Sequence, residues 1–147
     1  MRAAECPRLE DQLCFRLYAC SKEIIRRYRK PLEPLGLTYT QYIVMMALWE
    51  FAPMTEGELG CKVHLDSGTL APLLKRLEKL GYVSRERVED NERKLRISLT
   101  ENGEGLKEQA KLVPLMMRDC VSLPDSDLKA LRDLLDRALA GMEPGCE

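Results

Sequence analysis

Two helix-start signals stand close together in the stretch TEGELGCKVHLDSGTLAPLLKRLEKLG. Thr55-Glu56-Gly57-Glu58 has the Thr-x-x-Glu form of a capping box, with Leu59 and Val63 as the inward residues of a short helix. Asp66 and Ser67 open a second helix through Leu70, Leu74, Leu77 and Leu80, which Gly81 stops. So short a spacing leaves room for two short helices and a tight turn. After Gly81 the apolar period changes. Leu95, Ile97 and Leu99 alternate with Lys94, Arg96 and Ser98, so YVSRERV and KLRISL read as two strands. The polar run EDNER between them suits a hairpin loop.

Helical patterns flank this unit. Leu9, Leu13, Leu17, Ile24, Tyr28, Leu32 and Leu35 recur near the helical period, predicting a first helix over about 9–32 that loosens at Pro31 and Pro34. Thr38 or Thr40 can cap the next helix, whose body is YIVMMALWEF. Thr100 can cap another that runs to about Cys120 with a kink at Pro114. A last helix follows Pro124, capped by Asp125 or Ser126, and carries Leu128, Leu131, Leu135 and Leu139. The fold class expected is mainly α with a small β-hairpin: a winged helix-turn-helix with N- and C-terminal dimerisation helices. Residues 1–147 form a single domain, with dimerisation helices over about 9–35 and 101–141 and a DNA-binding region over about 55–99.

Composition excludes several classes. Hydrophobic residues make up 45% and charged residues 32%, which is globular rather than disordered. No apolar run reaches the length of a membrane span, and MRAAECPRLEDQ lacks the apolar segment of a signal peptide. A cytoplasmic location is the expectation, with no membrane partner. Six cysteines then read as reduced thiols rather than permanent disulfides. With no Cys-x-x-Cys pair and His64 the only histidine, neither a metal nor another cofactor is expected.

The net charge of −1 hides a basic segment: residues 62–96 hold nine Lys/Arg against six Asp/Glu. In the second helix, Ser67, Gly68 and Thr69 are small enough to approach base edges at a helix N-terminus that favours phosphate. Pro72 offers a flat apolar surface, for instance to a thymine methyl, and Lys75, Arg76 and Lys79 suit phosphate or guanine. Arg93 falls at the hairpin tip, where a wing reaches a minor groove. A basic face on a solvated helix is common and alone says little. Joined to a hairpin with an arginine at its tip, it points to double-stranded DNA.

The segment LDSGTLAPLLKRLEKLGYVSRERVEDNERKLRISLTENG resembles the core of the MarR family of bacterial transcription regulators, with EDNERKLRISLT as its wing and second strand. QLCFRLYACSKEIIRRYRKPLEPLGLTYTQYIVMMALWE resembles the OhrR branch, the organic-hydroperoxide-sensing repressors. The likeness is close over about 9–110 and looser beyond. It implies a non-enzymatic, homodimeric repressor of a palindromic operator, released when organic hydroperoxide oxidises a cysteine.

That resemblance maps the sensing cysteine onto Cys14 and its tyrosine partners onto Tyr28 and Tyr39, with Cys120 as candidate resolving thiol. Cys14 lies near the start of its helix, where the dipole favours a thiolate, although a helical cysteine is usually inert packing. Cys14 and Tyr28 are fourteen positions apart, about 21 Å along one helix, so they can meet only across two antiparallel first helices. With Phe15, Leu17 and Tyr18 as apolar neighbours, the resemblance implies a preference for organic over hydrogen peroxide. Cys20 and Cys61 read as packing, and Cys6 and Cys146 as terminal thiols. Three rival readings remain: a MarR-type repressor released by a small aromatic ligand, a thiol peroxidase turning over at Cys14, and a winged helix used only for protein contacts.

Overall fold

The computed structural model describes residues 6–142, the side chains at 91 and 92 excepted. Its order is α1 (Leu13–Leu32), α2 (Tyr39–Phe51), β1 (Met54–Thr55), α3 (Glu56–Val63), α4 (Ser67–Lys79), β2 (Val83–Val88), β3 (Asn91–Leu99), α5 (Glu101–Ala110), α6 (Leu112–Met116) and α7 (Asp125–Ala140).

Local chemistry sets the boundaries. A single 3-10 turn at Leu9–Asp11 and an extended Gln12 precede α1, so the helix starts later than its apolar period suggested. Gly36, at φ +64°, turns the chain where a Cβ would strain it, and Thr38, not Thr40, caps α2. The Thr55 capping box forms as read: Glu58 N–H donates to Thr55 Oγ1 at 3.2 Å, and Thr55 N–H to Glu58 Oε2 at 2.8 Å. His64 takes a left-handed conformation, φ +55°, between α3 and α4. That tight turn brings Leu65 O to 2.8 Å from where a Cβ on Gly60 would sit, so any larger side chain there must displace backbone.

The sheet has three strands in the order β1–β3–β2, all antiparallel, one more than the hairpin expected. Met54 pairs with Ile97, adding the two-residue β1 to the free edge of β3. The hairpin tip is narrower than EDNER. Val88 pairs with Asn91, leaving a two-residue turn at Glu89 and Asp90, and the register shifts at Arg87/Val88. Arg93 therefore lies on β3 beyond the tip, a correction to its expected place.

The C-terminal half departs further. The long fifth helix is two, breaking at Lys111 so that Pro114 falls in the first turn of α6, where its missing N–H is tolerated. Cys120 sits in the turn after α6, not on a helix. Pro124 is the N-cap of α7, and no side chain caps it, contrary to the expectation for Asp125 or Ser126.

The core gathers between α2, α3, α4, the sheet and α5–α6. Leu48, Leu59, Leu70, Leu74, Leu77, Val83, Ile97 and Val113 are almost fully buried, each worth about 2 kcal/mol of transfer free energy. The first and last helices contribute little. Only Pro31 and Leu32 of α1 are buried, and no residue of α7 is. Many of their apolar side chains stay in solvent, Leu13 at 69% exposed and Leu134 at 58%, and Leu112, Leu115 and Met116 of α6 are exposed as well. An unpartnered apolar surface of this kind marks an association face.

Candidate functional site

The helix-turn-helix and sheet form a reading head. Leu70, Leu74 and Leu77 hold one face of α4 to the core, while Ser67, Gly68, Thr69, Pro72, Lys75, Arg76 and Lys79 are all exposed on the other. The helix start is partly committed. Asp66 Oδ1 accepts from Thr69 N–H at 2.8 Å and Oδ2 from the Thr69 hydroxyl at 3.3 Å, so those donors already have a partner. Arg93, on β3, is exposed.

A brace that sequence reasoning missed joins α4 to the wing. Glu78 accepts from Arg85 twice, from the backbone N–H at 3.1 Å and from Nη2 at 3.0 Å. The Arg85 side-chain hydrogen bond, with its charge and backbone N–H, holds the Glu78 carboxyl below the usual range against the opposing effect of burial. Among the described residues, Arg85 Nε is buried without a partner. Charges seven residues apart, on a helix and a strand, give no periodic signal that would have announced the pair.

The thiols separate into different settings. Cys14, second residue of α1, is exposed and free, as are Cys6 and Cys20. Cys120 is free and half-buried against the core. Cys61, expected as reduced core packing, is half-buried and disulfide-bonded. Cys146 lies outside the described residues.

Tyr28 and Tyr39, named from the sequence, do come together. Their ring centroids are 4.7 Å apart, and Tyr42 joins them with its ring 6.0 Å from that of Tyr28. Tyr42 was not anticipated, although it follows Tyr39 by three positions on α2 and so shares its face. Burial raises the pKa of all three phenols, and Tyr28 is raised further by Tyr39, Tyr42 and Cys120. Tyr28 and Cys120 both pack half-buried against the core, and Arg27, next to Tyr28 on α1, donates to the Cys120 carbonyl oxygen. The phenols keep their protons at neutral pH, and among the described residues none of the three hydroxyls makes a hydrogen bond. They are available donors.

Cys14 is not brought to this cluster within the chain. Fourteen residues of continuous α1 place it about 21 Å from Tyr28 along the axis. Fourteen steps of about 100° nevertheless leave the two within about 40° of one another around the helix, on one face.

Comparison with known proteins places this architecture. The model for the transcriptional regulators SarA/Rot matches residues 21–110. The organic hydroperoxide resistance transcriptional regulator of Bacillus subtilis is 44% identical over 128 residues, 87% of each chain. Reduced AbfR bound to DNA superposes with a TM-score of 0.74 at 39% identity, over 91% of this chain and 94% of that one. AbfR, from Staphylococcus epidermidis, is also known overoxidised on DNA and in a disulfide-formed state. A MarR-family regulator of Streptomyces coelicolor in complex with DNA, 21% identical, superposes with a TM-score of 0.83 over 99% of this chain and 95% of that one, a likeness of fold alone. Fold, motifs and relatives agree: the chain belongs to the MarR family of transcription regulators, in its organic hydroperoxide resistance branch.

Proposed function

We propose that this regulator is a homodimeric repressor that grips palindromic operator DNA while reduced and lets go when an organic hydroperoxide oxidises Cys14. One observation carries the reading. The phenols Tyr28 and Tyr39 meet at the face of α1 that also bears the exposed Cys14, one helix-length away, and Arg27 ties the turn of the free Cys120 to the same end. Two copies of α1 running antiparallel across a two-fold axis bring each Cys14 to the other chain's cluster. The uncovered apolar faces of α1, α6 and α7 are the surface such a pairing buries. Residues 9–35 and 101–141 then serve dimerisation, and 55–99 serve DNA binding.

The chemistry follows from this placement. Hydroxyl donors from Tyr28 and Tyr39 stabilise a thiolate at Cys14. The thiolate attacks the terminal peroxide oxygen, the O–O bond breaks, and an alcohol leaves after taking up a proton. Phe15, Leu17 and Tyr18, all exposed near Cys14, supply an apolar approach that suits an organic peroxide. The resulting sulfenic acid condenses with Cys120 of the partner subunit. An AbfR that is overoxidised yet on DNA fits a trigger in which cross-linking, rather than oxidation of the sulfur alone, moves the helices. Two recognition helices must span half-sites one DNA turn apart, so a small change in their separation costs several kcal/mol of operator affinity.

On the DNA side, Lys75, Arg76 and Lys79 contact phosphate or guanine, Ser67, Gly68, Thr69 and Pro72 approach base edges, and Arg93 extends the wing's reach. The protein acts in the cytoplasm as a binding protein rather than an enzyme. A peroxidase has no use for a braced basic helix and wing. The test is operator binding with and without cumene hydroperoxide. Wild type releases DNA; Cys14→Ser stays bound. Release by the Cys14→Ser protein at the wild-type dose overturns the assignment of Cys14.

A further inference from the structure

The turn between α6 and α7 carries Cys120 outside any helix, and its backbone bonds are local. Cys120 N–H donates to Met117 O at 3.0 Å, and Leu123 N–H to Val121 O at 2.9 Å. Among the described residues, its one polar tie beyond the flanking helices α6 and α7 comes from Arg27, whose Nη1 donates to the Cys120 carbonyl oxygen. Arg27 immediately precedes Tyr28 on α1, so the residue that clamps the turn adjoins a phenol of the Tyr28–Tyr39 pair. Buried Met117 and half-buried Cys120 supply the remaining hold.

We propose that Arg27 is a positioning residue for disulfide closure. By fixing the Cys120 carbonyl it keeps that thiol at the Tyr28 end of α1, where the sulfenic acid on Cys14 of the partner subunit forms. The inference rests on the function proposed above and deepens it. In the step concerned, Cys120 sulfur displaces the sulfenic hydroxyl, which leaves as water with the thiol proton. One sulfur is oxidised and the other reduced, and no further oxidant enters. Arg27 touches neither sulfur. It raises the local concentration of one at the other, an effect separate from peroxide attack. The contact uses one donor, so lysine can replace arginine here.

The experiment adds stoichiometric cumene hydroperoxide and follows sulfenic acid by trapping with dimedone, and the disulfide by non-reducing electrophoresis. In Arg27→Gln, sulfenate should form at the wild-type rate but persist about tenfold longer. Arg27→Lys should restore closure. In a Cys120→Ser background, Arg27→Gln should add nothing, because the thiol it positions is gone. An unchanged sulfenate lifetime in Arg27→Gln, equal slowing of both steps, or an effect that survives in Cys120→Ser overturns the proposal. A wild type that makes no Cys14–Cys120 disulfide overturns the resolving role of Cys120 beneath it, and this inference with it.

Discussion

Gly103 and Gly105 lie two residues apart on α5, and alanine at each should act with opposite sign. A Cβ on Gly103 would fall 2.0 Å from Tyr82 O and 3.0 Å from Tyr82 C, with Leu99 Cδ2 at 3.3 Å behind it. Both intruded atoms of Tyr82 are backbone, so α5 must retreat by more than an ångström. Two bonds run through the same residue: Trp49 Nε1 donates to Gly103 O at 2.9 Å, and Gly103 N–H donates to Thr100 Oγ1 at 3.1 Å. Overpacking costs about 1–3 kcal/mol and each weakened bond about 1 kcal/mol, against about 1 kcal/mol returned by alanine's helix propensity. The net loss for Gly103→Ala is therefore about 3 kcal/mol, or roughly 10 °C in Tm for a chain of this size. At Gly105 nothing lies within 4 Å of the added Cβ. Gly105→Ala should gain up to about 1 kcal/mol, near 3 °C. Thermal and urea unfolding at one fixed protein concentration measures both, since melting of an associating protein depends on concentration. A Gly103→Ala protein that melts within about 3 °C of wild type refutes the reasoning.

Three further outcomes are expected. Tyr28, Tyr39 and Tyr42 have pKa values raised by folding, so their protonated forms stabilise the native state fully below about pH 10, and that contribution fades as pH rises through the folded values. Ultraviolet titration should show three of the five tyrosines ionising late, and one transition for all five near pH 10 is the contrary result. Lys75→Gln should weaken binding to operator and unrelated DNA alike and lower the log–log salt slope by about 0.9 per subunit contact; a loss confined to the operator would make Lys75 a base reader instead. Leu135→Asp, on the exposed face of α7, should leave far-ultraviolet dichroism unchanged while shifting sedimentation to a monomer, since α7 buries nothing within the chain. A variant that still sediments as a dimer removes that face from the interface.

Much of the reading head was legible because its signals are short-range. A Thr-x-x-Glu box, Asp66 before an apolar helical period, and strict alternation at Leu95, Ile97 and Leu99 each depend on neighbours within a turn or a strand pair. Strand β1 was not legible, since two residues cannot show a period and Met54 becomes a strand only by pairing with Ile97. The hairpin tip was misplaced because polar residues fill both the turn and the bulge. In the sensing region, the fourteen-residue spacing carried the separation of Cys14 from Tyr28 along one helix. Arg27 on the Cys120 carbonyl joins residues more than ninety positions apart. No local pattern encodes such a meeting. Pro124 took the α7 cap from Asp125 and Ser126 through backbone geometry alone, because no side chain there bonds the free amides.

The length of α1 has a genetic consequence on the proposed arrangement. A chain with Cys14→Ser keeps its phenols, and a chain with Tyr28→Phe keeps its sulfur. Each alone makes a deficient pair. Mixed together, one of the two junctions in the heterodimer unites the surviving sulfur with the surviving phenol. Two broken alleles would then complement one another in part, since only the mixed dimers regain a working junction and the Cys14→Ser homodimers still hold the operator.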